Sequence, residues 1–350
     1  SYIIPRETPV IDGCARIHNE FITKQKTNFS YTDVKDCYES FLFDKDTIDT
    51  LTGLINGFYS FLDKAKEPPQ PGFDFRPMDL IAELELLQNK YYASLYDFIV
   101  TIDVKHLFND LKDAHTKFSS DCFAAFAFYT NMTFYSVVDN GEQKIKVFND
   151  TIDPSNIDCE VTHIDGQQAF KVISEFAKDS IYGSRDLGVR FNIALDHPYV
   201  ETSFAIRHEI PEKPDIIYTL KCDNTNLFDV KRNWNAFTGR TYLNKFNDSK
   251  SYFDSICNPI KESKQSVPSN VVQREITKML GSDNGILVKQ DQSVTTIRII
   301  DEFVEFYRVK DFGVVKIISE QPNSLNLDET IAMFPNIIQG FKELAIQVSK

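Results

Sequence analysis

The segment Asp113-Ala114-His115-Thr116 has residue types and spacing that suit catalysis. Histidine titrates near neutral pH, so His115 can accept a proton from a nucleophile as a general base. Such a base needs a third group that holds its tautomer. Asp113, two residues earlier, either orients the ring or caps the next turn of the chain, and we favour the cap. The alternative for His115 is a buried histidine that packs at the end of a helix.

Other residues with potential chemistry have simpler structural interpretations. His163 falls on a predicted strand beside the turn Asp165-Gly166, where we expect it to help build a sheet. His197 and His208 are too far apart for a helical metal pair, and the sequence has no Cys-x-x-Cys pair, so we predict no metal and no cofactor. Trp234 is either a core residue or a carbohydrate-facing one.

Three helices are predicted before and up to the histidine. The first starts at Asp46 and ends at the proline-rich residues 68–72, because proline cannot continue a helix. The second opens at Pro77, and the third starts near Ser94, which resembles a capping box with Asp97. His115 therefore lies where the third helix passes into an extended segment. Apolar residues three and four positions apart define the buried faces of the three helices, in order Ile48, Leu51, Leu54, Ile55, Phe58, Phe61 and Leu62; Leu80, Ile81, Leu84 and Leu87; and Leu95, Phe98, Ile99, Ile102, Leu107 and Leu111.

Strands dominate the prediction after residue 120. The aromatic run Phe123–Tyr129 is more typical of a core than of a stacking surface. Asn140-Gly141 predicts a tight hairpin turn, and Asp165-Gly166 leads from a strand into a helix over Gln168–Ala177. A last helix begins near Asp328, and Pro335 either kinks it or marks its start. The predicted strands are Cys122–Tyr129, Ser136–Val138, Lys144–Phe148, Cys159–Ile164, Ser203–Ile210, Ile216–Cys222, Thr295–Ile300, Phe303–Val309 and Gly313–Ser319.

Length and charge exclude several classes of protein. The chain has 350 residues, enough for two or three domains with a full core. Its formal charge of −13 argues against a nucleic-acid partner or an anionic membrane surface. No stretch approaches the length of a membrane-spanning helix. The sequence starts at Ser1 rather than Met, so we expect that a leader has been removed.

Cysteines and glycosylation motifs point to the secretory route. Six widely spaced cysteines favour disulfides, and the simplest of the fifteen pairings is sequential, with Cys14–Cys37, Cys122–Cys159 and Cys222–Cys257. Asn-x-Ser/Thr motifs occur at Asn28, Asn131, Asn149 and Asn247. We therefore expect a secreted, extracellular or vacuolar glycoprotein with disulfide bonds.

Three segments carry a resemblance to a known family. They are the predicted helix and histidine segment Tyr96–Thr116, the strand-turn-helix Val161–Phe170, and the strands Phe306–Val309 with Gly313–Ile317. In this order they resemble the carboxy-terminal-processing (tail-specific) serine peptidases, above all their secreted fungal branch and the related branch of the chlamydial protease-like activity factor. Cys14 and Cys37 also lie where the fungal members have cysteines.

The resemblance implies a serine peptidase with His115 as general base and a PDZ-like module at Val161–Phe170. In the activity-factor branch the serine and a glutamate come late, after a strand that reads roughly Leu-Asp-Leu-x-x-Asn-Gly-Gly-Gly. This sequence contains neither Gly-Asn-Gly-Gly nor Gly-x-Ser-x-Gly. We therefore expect the nucleophile on a separate C-terminal fragment of the same precursor, with the present chain inactive alone. A polypeptide substrate and a homo-oligomer are the other partners that we consider.

The predicted fold class is α+β, with three parts. Residues 1–120 form a disulfide-capped helical domain with the histidine, residues 121–265 a β-rich region with the PDZ-like module, and residues 266–350 the first strands and helix of an α/β peptidase core. The alternative function is that of a non-catalytic secreted protein that keeps a peptidase-like scaffold for binding, structure or storage.

Overall fold

The structure is a computed structural model. It describes residues 12–41, 53, 65–87, 90, 95, 104–113, 121–196, 202–223, 226–257, 294–300, 304–309, 312–317, 335 and 338–343. The chain divides into two compact units, Ser1–Asp283 and Asn284–Lys350. Helices and antiparallel sheets occur together in the first unit, which confirms the α+β class. The three predicted domain boundaries remain predictions.

The first unit opens with two helices that a disulfide joins. Helix α1 (Gly13–Lys24) begins at Asp12, whose carboxylate accepts the N–H of Ala15 at 2.6 Å. Strand β1 (Asn28–Ser30) leads into α2 (Tyr31–Glu39). Cys14–Cys37 bridges the helices as predicted. Gly13 lies so close to the backbone of α2 that a Cβ there would collide with it. Neither helix was predicted from the sequence.

Three further helices follow in the described residues. The helix predicted from Pro77 is α3 (Leu80–Leu87). The described part of the helix predicted from Ser94 is α4 (Val104–Asp110), and α5 (Asp121–Ala124) starts where a strand was expected. The helix predicted from Asp46 lies outside the described residues except for Gly53 and residues 65–67, of which Gly53 and Ala65 are helical.

A four-stranded antiparallel sheet forms the core around the N-terminal helices. Its order is β1-β10-β2-β7, with β2 at Ala127–Tyr129, β7 at Ile206–Arg207 and β10 at Asn235–Phe237. The strand predicted over Cys122–Tyr129 is thus wrong in its first half, since the Cys122 turn is helical. The strand predicted over Ser203–Ile210 shrinks to two residues, because Ser203 closes a turn through its side chain with Ile206.

The second sheet carries the β-rich region. Its order is β3-β4-β5-β8-β9, all antiparallel, and β6 pairs with β5. Asn140 and Gly141 join β3 and β4 with φ of 53° and 83°, as the hairpin prediction requires. The strands are β3 (Met132–Asp139), β4 (Glu142–Asp150), β5 (Glu160–Ile164), β6 (Gln167–Gln168), β8 (Asp215–Lys221) and β9 (Phe228–Asn233).

A buried ion pair joins β4 to β9, the last strand in the sheet order. The Arg232 guanidinium donates to the Asp150 carboxylate, and the rings of Phe134 on β3 and Tyr218 on β8 lie 5.2 Å apart. Side chains of β3 and β4 therefore contact those of β8 and β9 across the inside of the sheet.

Helices cover this sheet. The helix predicted over Gln168–Ala177 is α6 (Ala169–Asp179), and α7 (Leu187–Asp196), which was not predicted, lies against α6 and β3. The unit ends with α8 (Arg240–Leu243), α9 (Ser249–Tyr252) and a π-helical turn over Phe253–Cys257. No helix of the described residues is long and apolar enough to cross a membrane.

Two of the three predicted disulfides are wrong. The structure pairs Cys122 with Cys257 and Cys159 with Cys222, rather than following sequence order. The first bond ties α5 to the π-helical turn, and the second ties the start of β5 to the end of β8. Sequential pairing fails because the sheet order, not the sequence distance, decides which cysteines become neighbours.

The second unit contains a three-stranded antiparallel sheet in the order β11-β12-β13. The three strands were predicted, and they span Val294–Ile300, Val304–Val309 and Phe312–Ile317. Residues 338–343 are helical, within the helix predicted from Asp328. Gly340 lies directly on the buried ring of Phe306, where a Cβ would not fit.

Candidate functional site

The predicted general base His115 lies outside the described residues, together with Ala114 and Thr116. The structure describes the chain up to Asp113, which is half-buried, and the helix α4 that leads to it. The surroundings of α4 and Asp113 therefore define the candidate site.

Lys112, directly before Asp113, is fixed in an unusual way. Its backbone has φ of 49°, in the left-handed region that few non-glycine residues adopt. Its side chain turns inward, and Nζ donates to the carbonyl oxygens of Lys178 at 2.6 Å and Ile181 at 3.3 Å. Both carbonyls lie at the C-terminal end of α6, so this lysine ties the residue before Asp113 to that helix end.

Two more side chains bind the same helix end. Arg190 on α7 is fully buried and donates to the Lys178 carbonyl at 2.9 Å and to the Asp74 carbonyl at 2.5 Å. Asn109 on α4 donates to the Ser180 carbonyl at 3.2 Å. The last carbonyls of a helix have no partners within it and carry partial negative charge, which suits cationic donors. We call Asn109, Lys112 and Arg190 the carbonyl anchor.

The anchor places two positive charges together in a buried environment. Burial, and to a smaller extent the nearby Arg190 charge, lower the pKa of Lys112 to about 8, while Asp110 acts in the opposite direction. The nearest carboxylate oxygen to Lys112 Nζ in an ion pair is Asp110 Oδ1, at 3.9 Å. Burial likewise lowers the pKa of Arg190. The charges are therefore held mainly by backbone carbonyls.

A second polar cluster surrounds the start of α4. Lys105 Nζ lies 2.6 Å from Glu209 Oε1, and both side chains are largely buried. Burial raises the pKa of Glu209, but the charge and hydrogen bond of Lys105, with smaller contributions from His106 and Arg207, outweigh burial and lower it overall. Glu209 is therefore an ionised carboxylate held against α4.

His208, beside Glu209, has a defined tautomer. Its Nδ1 lies 2.8 Å from the carbonyl oxygen of Phe126, and a carbonyl can only accept, so Nδ1 carries the proton. The ring is buried. A histidine oriented through Nδ1 in this way presents Nε2 as its acceptor nitrogen.

The remaining predicted site residues take separate positions. His163 is half-buried on β5, with Nδ1 3.1 Å from Thr162 Oγ1. Trp234 is only 4% exposed, and the Arg207 guanidinium lies 4.5 Å from its ring centroid, so it is a core residue rather than a carbohydrate-facing one. His197 lies outside the described residues. Within the part of the chain that the structure describes, no three His, Cys, Asp or Glu side chains are grouped as metal ligands would be.

The asparagines of the four predicted glycosylation motifs differ in their exposure to solvent. Asn28 and Asn247 are exposed, whereas Asn131 and Asn149 are half-buried at the paired ends of β3 and β4.

The sequence interpretation missed Lys112, Arg190 and Glu209. Lys112 adjoins the predicted segment, and Arg190 is a charge between two apolar residues of a helix, Val189 and Phe191, which is a weak signal of a buried cation. Lys112 and Arg190 each have a partner far along the chain, 66 residues away at Lys178 and 116 residues away at Asp74, and no local pattern indicates such a contact.

Comparison with known proteins adds little. No protein-family model matches the chain, and no curated protein matches it. Among solved structures the chain is similar to mature CPAF, the chlamydial protease-like activity factor, complexed with lactacystin. That likeness has 13% sequence identity and a TM-score of 0.37, and it covers 54% of this chain and 34% of the other. The match thus spans about a third of the other chain's length, and we base no assignment of family or activity on it.

Proposed function

We propose that these residues form the part of a secreted serine-type peptidase that carries its general base, His115. In this function the imidazole takes the proton of a serine hydroxyl as the serine attacks a peptide carbonyl. The serine and an orienting glutamate come from polypeptide outside these 350 residues, since no Gly-rich nucleophile motif occurs among them. The partner is a C-terminal fragment of the same precursor.

The observation that carries the proposal is the carbonyl anchor. A general base contributes only when its position is fixed relative to the nucleophile. The chain enters Asp113-Ala114-His115 directly after Lys112, whose buried ammonium holds two carbonyls of the α6 end. The ordered sequence resemblance to tail-specific peptidases, fungal and chlamydial, supports the same interpretation.

Two further features agree with the proposal. Three disulfides among the described residues are typical of proteins from oxidising compartments, which supports an extracellular or secreted location. Strand β5, the turn Asp165-Gly166 and α6 follow in the order that the PDZ-like resemblance requires, and such a module would receive an extended polypeptide substrate.

A fluorophosphonate probe tests the proposal on the native protein, purified from its source with any polypeptide that accompanies it. We expect one labelled serine, located by peptide mapping on a polypeptide outside residues 1–350. Absence of a labelled band, with no second polypeptide in the intact mass spectrum, would overturn it.

The second candidate is a non-catalytic secreted protein with a scaffold kept for binding, structure or storage. The absence of a nucleophile motif from the 350 residues favours it. It predicts no covalent labelling, and it predicts that the native protein consists of this polypeptide alone.

A further inference from the structure

The four Asn-x-Ser/Thr motifs differ in what their asparagine side chains contact. An N-linked oligosaccharide is bulky and hydrophilic, so the amide that carries it must face solvent in the folded protein. The structure separates the two exposed asparagines from the two half-buried ones.

Asn28 is exposed on β1, which lies at the edge of the first sheet among the strands that the structure describes. Its Oδ1 accepts the Tyr129 hydroxyl at 2.9 Å, so the amide oxygen is turned toward the protein. Nδ2 makes no hydrogen bond with the described residues. The side chain thus presents its nitrogen, the atom that a glycan modifies, away from its protein contact.

The main chain of Asn28 also lies at the open edge of the sheet. Thr238 N–H donates to the Thr27 carbonyl at 3.1 Å, which places the hydrogen-bonded pairs of β1 and β10 at Thr27 and Phe29. In an antiparallel pair these alternate with non-bonded pairs, so the N–H and C=O of Asn28 point away from β10. Such an exposed edge invites pairing with another strand unless something covers it.

Asn247 has a similar arrangement in the short loop between α8 and α9. It is exposed, and its Oδ1 accepts the Ser251 hydroxyl at 2.9 Å. Nδ2 again makes no hydrogen bond with residues that the structure describes. The serine of this motif, Ser249, is held by the Asp12 carboxylate at 3.1 Å, which keeps the loop in place.

The other two motifs are interlocked. Thr151 donates through Oγ1 to Asn131 Oδ1 at 3.0 Å, and Thr133 lies opposite Asn149 in the β3–β4 ladder. Thr133 is fully buried, as is Asp150, the middle residue of the Asn149 motif. Asn131 and Asn149 are half-buried beside these buried residues, so an oligosaccharide there would have less access to solvent than at Asn28 or Asn247.

We propose that Asn28 and Asn247 carry N-linked oligosaccharides and that Asn131 and Asn149 do not. In the transfer, Nδ2 bonds to the anomeric carbon of the sugar and loses a proton. The bond from that carbon to the pyrophosphate of a lipid-linked oligosaccharide donor breaks, and lipid pyrophosphate leaves. At Asn28 the sugar stands beside the exposed edge of β1 and blocks the pairing of a further strand there.

The inference shares the secretory location with the proposed function but not the catalytic role. The test is the mass of the native protein before and after an amidase that releases N-glycans and converts each modified asparagine to aspartate. In heavy-oxygen water the conversion marks the modified positions. We expect marks at Asn28 and Asn247 only.

Single variants in a glycosylating secretory host provide the controls. Asn28→Gln and Asn247→Gln should each remove one oligosaccharide from the secreted protein, and Asn131→Gln and Asn149→Gln should remove none. An unmodified polypeptide mass overturns the inference, and so does a mark at Asn131 or Asn149. Serine labelling by the fluorophosphonate probe is independent of either result, so a missing glycan leaves the peptidase proposal standing.

Discussion

Two buried cations among the described residues of the first unit, Arg232 and Lys112, have different kinds of partner. On β9, Arg232 donates to the carboxylate of Asp150, which also accepts the Asn156 amide at 2.8 Å and the Ile152 N–H at 3.0 Å. In the carbonyl anchor, Lys112 donates to neutral backbone carbonyls. A carboxylate cancels the full charge, whereas a carbonyl dipole cancels part of it.

The difference separates a link between two opposite charges from one in which a cation meets backbone dipoles. The Asp150–Arg232 pair joins β4 to β9 of the β-rich sheet, and each buried charge is balanced by the opposite charge of its partner. The Lys112 ammonium can lose its proton at mildly alkaline pH, and it lies directly before the predicted catalytic segment. The candidate site is therefore attached to the end of α6 by Lys112, a cation whose charge depends on pH near 8.

The largest effect is expected for Arg232→Met. The change leaves the Asp150 carboxylate buried without its cation, which costs about 3–5 kcal/mol in the free energy of unfolding. Denaturant unfolding of the disulfide-intact protein measures it. The matched control is Lys231→Met, on the same strand as Arg232. It removes an exposed ion pair with Asp215 of β8 and should cost at most about 1 kcal/mol. Equal losses in the two variants would contradict the account.

A smaller loss is expected for Lys112→Met. It removes the hydrogen bonds to the Lys178 and Ile181 carbonyls, and Arg190 still satisfies the first of them, so we expect about 1–2 kcal/mol. The control is Lys178→Met, whose side chain makes an exposed pair with Asp74. Denaturant midpoints of the two variants compare them, and a loss as large as that of Arg232→Met would mean that the anchor is no weaker than the ion pair.

A third variant, Lys105→Met, removes the cation from the Lys105–Glu209 ion pair at the start of α4. Glu209 has a lowered pKa in the folded protein, so it binds fewer protons there than when unfolded, and its contribution to stability is lost as pH falls through the folded pKa. Without Lys105 the lowering disappears, and acid unfolding should start at higher pH than in the wild type. Circular dichroism from pH 7 to 2 measures this, with Lys213→Met, an exposed partner of Asp165, as control. An unchanged acid transition would rule out the role given to Lys105.

The fourth prediction is a pH dependence of stability that belongs to Lys112. Its pKa is about 8 in the folded protein against an ordinary 10.5, so between these values the unfolded chain binds more protons. Stability attributable to Lys112 therefore rises with pH from 8 to 10.5. The difference in unfolding free energy between wild type and Lys112→Met, measured across that interval, isolates the effect. A difference independent of pH would show that the anchor lysine keeps its charge.

Local elements of the fold followed from local patterns. Asn140-Gly141 predicted the hairpin turn, and Asp165-Gly166 predicted the turn before α6, because each pair needs backbone conformations that these residue types adopt readily. The three strands of the second unit were predicted by their β-branched and aromatic composition. Helix α1 was missed because its buried face carries few apolar residues, namely Cys14, Ile17 and Phe21. Helix α7 was missed because its buried face includes the charged Arg190.

Long-range pairings did not follow from the sequence. Cys122 and Cys257 are 135 residues apart in the sequence, and only the folded chain brings them together. The same holds for Asp150 with Arg232 and for Lys112 with the end of α6. The sequence could point to the histidine segment by its composition, but it did not indicate which helix end Lys112 contacts.

The most direct test of the central claim compares His115→Ala with His163→Ala in the full precursor. The measured quantity is the rate at which a fluorophosphonate probe labels the purified protein. If His115 is the general base, its removal should slow labelling by at least about 10³-fold. The β5 histidine variant should label at the wild-type rate. Equal labelling rates in the two variants would contradict the assignment of His115 as the base.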